Sequence, residues 1–129
     1  MSATTFHEAT LGHDDTRFVV WAEGEHLLIS SRRPWDPEDP ARPIPGCVLN
    51  DDQVRQLLTH LQRGGRFSLE GISGAVELFT WGNIHLQNSA VEGRAALGMT
   101  SYDLRGGHAG LAQLLRQAMK DRTLPEKAR

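Results

Sequence analysis

Between residues 17 and 31 the chain alternates, but with apolar side chains on both sides. Phe18, Val20 and Ala22 fall on one side, Val19 and Trp21 on the other, and Leu27, Leu28 and Ile29 resume after a Glu23-Gly24 turn. A strand pair with no polar side has no solvent face, so this hairpin is expected in the middle of a sheet. At residue 50 the period changes. Val54, Leu57, Leu58 and Leu61 repeat at helical spacing and form one apolar stripe. Asn50 stands where an N-cap belongs, Asp51 and Asp52 fill the first turn, Gln53 completes a capping box, and Gly64-Gly65 stops the helix.

A second β region follows. Residues 66–72 alternate, with Phe67 and Leu69 on one side and Ser68 and Glu70 on the other. Ser73-Gly74 reads as a turn. Val76, Leu78 and Thr80 then alternate with Glu77, Phe79 and Trp81, Gly82-Asn83 turns again, and residues 84–87 pair back. A last strand is expected over 94–104. A second helix is expected over 108–122, on a stripe of Leu111, Leu114, Leu115, Ala118 and Met119, with residues 123–129 as a frayed tail. The fold class is therefore α+β: antiparallel sheet with two amphipathic helices, in the order strands, helix, strands, helix, all in one domain over 1–129. Both helices on one sheet face is the simplest way to bury both stripes. The halves echo each other. Trp21 and Trp81 each precede a glycine turn, and each helix contains Gln-Leu-Leu, at 56–58 and 113–115. An internal duplication is one reading; a common tripeptide in amphipathic helices is the other.

Residues 32–46 break every pattern. They hold five of the six prolines, and Pro34, Pro37, Pro40 and Pro43 recur every third residue. That spacing aligns them along one edge of a polyproline II helix, a preordered strip suited to a partner's groove. Arg33 and Trp35 supply a charge and a large aromatic anchor beside it. The plainer alternative is a stiff connecting loop whose Trp35 folds back on the core.

Composition narrows the function. With 129 residues and 39% hydrophobic side chains the chain can bury one core. The formal charge of -2 disfavours a protein that lives on nucleic acid or anionic membrane. The charge is uneven, with 6 basic and 10 acidic residues up to residue 65 and 8 and 6 after it. A lone Cys47 permits no internal disulfide and fits a reducing, cytoplasmic setting, and no targeting segment or apolar span of ~20 residues is visible. The expectation is no membrane partner.

Signals for catalysis and metals are weak. Cys47 lies in an apolar stretch and reads as a buried small hydrophobe. His7, His13, His26, His60, His85 and His108 form no zinc spacing. His13-Asp14-Asp15 reads as a turn, and His26 and His85 would converge only if the duplication placed them about an axis. Arg105-Gly106-Gly107-His108 before a helix resembles an anion cradle in composition but is not a Walker loop. No metal and no cofactor is expected.

The reading these residues favour is a small non-enzymatic interaction module, an adaptor, regulator, inhibitor or immunity-type protein. It would bind a protein partner or a second copy of itself through Arg33, Pro34, Trp35, Pro37, Pro40 and Pro43. The runner-up is a sheet that binds single-stranded nucleic acid. There Trp21 and Trp81, with Phe79 and Tyr102, stack bases, while Arg17, Arg66 and Arg94 take phosphates. A small enzyme of unfamiliar type is third. Its mark would be His26, His85 or His108 meeting a carboxylate in a deep pocket.

Overall fold

The computed structural model describes residues 4–34, 47–80, 82–87 and 100–123. Among these residues eight strands and two helices follow one another as two similar units. The first is β1 (His7–Leu11), β2 (Thr16–Glu23), β3 (His26–Arg32), β4 (Cys47–Leu49) and α1 (Asp51–Arg63). The second is β5 (Phe67–Glu70), β6 (Ser73–Leu78), β7 (Asn83–Gln87), β8 (Thr100–Asp103) and α2 (His108–Met119). All pairings are antiparallel, and the sheet runs β1-β2-β3-β4-β6-β7-β8, with β5 beside the later part of β6. In sequence order the segments 33–46 and 88–99 fall between the third and fourth strands of their units.

The expected hairpin is present and central, since β2 is flanked by β1 and β3 is flanked by β4. The register puts Phe18, Val20, Leu27, Ile29, Cys47 and Leu49 on the helix side. In the second unit Val76, Leu78, Ile84, Leu86 and Tyr102 take that side. With Val54, Leu57 and Leu61 of α1 and Leu111, Leu114, Leu115 and Ala118 of α2 they form one core. Burying each such aliphatic chain stabilises by ~1.5–3 kcal/mol, which is what holds two short helices on the sheet. Leu58, expected on the stripe, is half-buried at its margin.

Two strands lie where the pattern predicts none, and one helix limit needs correction. The N-terminal residues form β1, and the apolar stretch at Cys47 forms β4. The expected turn at Ser73-Gly74 spans Gly71 to Gly74, closed by the Gly71 N–H donating to Gly74 O at 3.0 Å, and β6 opens inside it at Ser73, which pairs with Val48 of β4. Gly71 is needed there because a Cβ would overlap the carbonyl oxygen of Val48. Helix α2 also ends at Met119, three residues before the expected limit, and Thr123 donates its N–H to Gly24 O at 2.8 Å. Of the last expected strand, residues 94–99 lie outside the described residues.

The sheet curls until its edges meet at one end. Phe18 of β2 lies edge-on to Tyr102 of β8 with ring centroids 6.3 Å apart. The His13 N–H donates to Asp103 Oδ2 at 2.9 Å. Gly12, at φ 78°, passes so close that a Cβ would overlap the Asp103 carbonyl oxygen.

Candidate functional site

With one sheet face committed to the helices, the other face carries whatever the protein presents. In the first unit the middle of that outer face is apolar. Alternation sends Val19, Trp21 and Leu28 outward, and all three are buried, with Val48 packed against them. Register aligns Trp21, Leu28 and Val48 in one row across β2, β3 and β4, and Phe6 extends it beyond β1. The Phe6 ring lies 5.3 Å from that of Trp21, and the Trp21 indole N–H donates to Glu23 Oε2 at 2.9 Å. Ile72 stands at the other end, its N–H donating to Val48 O at 2.8 Å. Phe6 (40% exposed) and Ile72 (52%) are the two large apolar side chains left open to solvent among the described residues.

In the second unit the same face is polar. Arg66 Nη2 donates to Glu77 Oε2 at 3.0 Å and Ser68 Oγ donates to it at 3.2 Å. The Arg66 hydrogen bond, assisted by those of Ser68 and by the nearby charge of His85, holds the Glu77 carboxyl below its ordinary value. The Arg66 guanidinium also lies 5.4 Å over the Phe79 ring, and Phe79 is 4.3 Å from His85. A cation, a phenyl ring and an imidazole are thus gathered beside one carboxylate.

Arginines mark the end of β2 and β3 away from their turn. Arg17 is exposed and directly opposite Arg32 in the ladder, and the Arg33 guanidinium reaches over the Tyr102 ring at 5.5 Å. Of the expected interaction residues, Arg33 is half-buried and Pro34 exposed. Trp35, Pro37, Pro40 and Pro43 lie outside the described residues, as do Trp81 and Arg94 of the nucleic-acid reading. Trp21 and Tyr102 are corrections to that reading. Trp21 is 1% exposed in the outer apolar row and Tyr102 is 7% exposed in the main core, so neither offers a free ring to a base. Arg17, Arg66 and Phe79 do reach the surface region, and only Arg66 and Phe79 come together. Sequence reasoning missed Phe6 and Ile72. Each is a single apolar residue in a polar stretch, and its exposure depends on where the neighbouring strands run.

Among the described residues the candidate catalytic and metal-binding groups are not brought together. Burial pushes the Cys47 thiol up to about 12, far from a nucleophile's range. His26 lies 3.6 Å from Glu25 at the β2–β3 turn, while His85 sits beside Phe79 in the other unit. Among the described residues no three metal-ligating side chains gather. The glycines at the start of α2 serve packing: a Cβ on the N-cap Gly107 would be 2.9 Å from Leu11 Cβ, and one on Gly110, in the first turn, would meet the Leu11 side chain. Burial lowers the His108 pKa, so the helix start carries a neutral imidazole. Asp103 is held well below the carboxylate range, first by the Arg105 side chain and then by the backbone N–H groups of Arg105 and His13. It fastens the edge closure.

The class defined by this arrangement is an α+β protein of two four-strand-and-helix units, curled around both helices. The chain is similar over its length to a chain from crystal structures of MRP1/MRP2 of Trypanosoma bruciei. The identity is 19%, the coverage 92% of this chain and 94% of that one, and the TM-score 0.52. That likeness concerns the fold. No family model and no curated protein matches the sequence. No helix among the described residues is long and apolar enough to cross a membrane.

Proposed function

We propose that the protein is a small non-enzymatic module that binds a protein partner through the outer face of β1–β4. The observation that carries this reading is the apolar row Phe6–Trp21–Leu28–Val48, whose two ends are Phe6 and Ile72. A row of aromatic and aliphatic side chains open at its ends and rimmed by Glu8, Glu23 and His26 has the make-up of a protein contact. Trp35, three residues after β3 in the sequence, is the aromatic residue we assign to binding the same partner. Affinity capture from host lysate, with nuclease, tests the reading. One protein should be retained by the native chain and lost with Phe6→Asp and with Trp35→Ala. Retention of nucleic acid alone would overturn it.

One observation favours a second reading, single-stranded nucleic acid on the outer face of β5–β7. The Arg66–Phe79–His85 group offers a ring and a guanidinium, and an exposed ion pair such as Arg66–Glu77 holds its arginine weakly enough for a phosphate to compete. Anisotropy of a labelled single-stranded oligonucleotide at low and high salt measures it. Binding that weakens with salt and with Phe79→Ala would support this surface; absence of binding at low salt would dismiss it.

A further inference from the structure

The end of the described chain returns to its beginning. After α2 the backbone continues in one more irregular turn, with Asp121 N–H donating to Ala118 O at 3.0 Å. The three residues 121–123 then each engage a different element. Asp121 Oδ2 lies 2.6 Å from Nε2 of His7, the first residue of β1. Arg122 pairs with Asp51, the first residue of α1, and its Nε donates to Met119 O at 3.0 Å. Thr123 N–H donates to Gly24 O in the β2–β3 turn.

The two ties of Arg122 and Thr123 reach elements already fixed by the core. The His7 tie reaches an edge strand. β1 has five residues and a single neighbour in the sheet, and its far end is fastened by the His13–Asp103 contact. Its near end has β2 and Asp121. Alternation turns His7 toward the helices and the adjacent Phe6 outward, onto Trp21. The residue that the C-terminal segment holds is thus the neighbour of the residue that covers the tryptophan.

We infer that residues 120–123 are a strap that keeps the N-terminal end of β1 closed over Trp21, and that its release uncovers the outer apolar row. The two links differ in kind. The Arg122 side chain (7% exposed) has two partners, Asp51 (42% exposed) and Met119 O, and anchors the strap to α1, whereas His7 and Asp121 (19% and 37% exposed) are joined by one partly exposed contact, which is therefore weak. A firm anchor with a weak latch is what a local opening needs, since edge segments with little buried surface open before the core does. The biological use of this opening rests on the outer-face reading above, but the opening itself is measured without a partner.

Trp21 is one of three tryptophans, so the test uses a Trp35→Phe, Trp81→Phe background. His7→Ala and Asp121→Asn should each raise acrylamide quenching of Trp21. They should speed amide exchange over residues 6–11 by up to about fivefold, as loss of an exposed pair worth ~1 kcal/mol would. Exchange in β6 and β7 should not change. Phe6→Ala should raise quenching without speeding exchange in the middle of β1. Unchanged quenching in both latch variants, or faster exchange throughout the molecule, would overturn the strap. Failure of the lysate capture alone would leave it standing and reject only its use.

Discussion

In the middle of β2–β4 the side chains turned away from the helices include the apolar Val19, Trp21, Leu28 and Val48; in β5–β7 they include the polar Ser68, Glu77 and His85. The two units share connectivity, and Gln-Leu-Leu starts five residues after the first helical residue in each helix. Leu57 and Leu114 are buried at equivalent places, and Gln56 and Gln113 are exposed. What the units share faces the core, and what differs faces outward. The inner face answers to packing, which is the same problem twice. The outer face is free to be an apolar contact surface in one unit and a polar one in the other.

The helices differ in the same way. α1 carries its own start signal: Asn50 accepts from Gln53 N–H at 2.8 Å, and the Gln53 side chain accepts from Asn50 N–H at 2.8 Å. α2 begins at Gly107 with no side-chain cap. It is held from outside, by Leu11 packed against its glycines and by the strap after Met119. One helix is specified locally and the other by its neighbours.

Variants can break this comparison, and the largest effect belongs to the apolar outer face. Trp21→Ala should destabilise by ~3–5 kcal/mol, as loss of a buried aromatic does, while His85→Ala at the corresponding face of β7 should stay within about 0.5 kcal/mol. Urea denaturation of the two variants decides it, and similar losses would mean that the faces are not different in kind. The cap contrast is smaller. Asn50→Ala should cost ~1 kcal/mol. Gly107→Ser introduces a favoured N-cap residue, yet should also lower the melting temperature, because its Cβ meets Leu11. A rise in melting temperature would show that α2 lacks only a cap.

Acid sharpens the same contrast. The His108 pKa is lowered from its ordinary 6.5 by burial, so the folded state binds this proton less readily than the unfolded chain. Its contribution is present above pH 6.5 and is lost as pH falls through the lower folded value. Melting temperature should therefore decline below pH 6.5, and His108→Gln should flatten that decline. An unaltered slope would acquit the imidazole. The smallest effect is expected at Glu77→Gln. It removes an exposed pair with Arg66 and should leave the melting temperature unchanged within error.

Much of the fold was legible in local patterns. The two-sided β2–β3 hairpin, the capped helix α1 and the stripe of α2 all announce themselves, because alternation, helical spacing and cap chemistry act over a few residues. β1 and β4 did not. His7 to Leu11 mixes charged and small residues, and β4 has three residues, too few for a period. The candidate sites were less legible. The arginines, tryptophans and histidines are visible as residue types, but strand alternation does not tell that Trp21 is buried, and Phe6 and Ile72 belong to no apolar period.

By itself the sequence determined the α+β class, the order strands, helix, strands, helix, and most of the inner face, because these follow from which side chains avoid water at which period. Only the tertiary structure decided the rest. Curling brings Gly12 against Asp103, glycines admit Leu11 to α2, Asp121 reaches back to His7, and Phe6 lies on Trp21. Each joins residues far apart in the chain or on different strands. No local spacing encodes such meetings, since their geometry exists only once the sheet has twisted and closed.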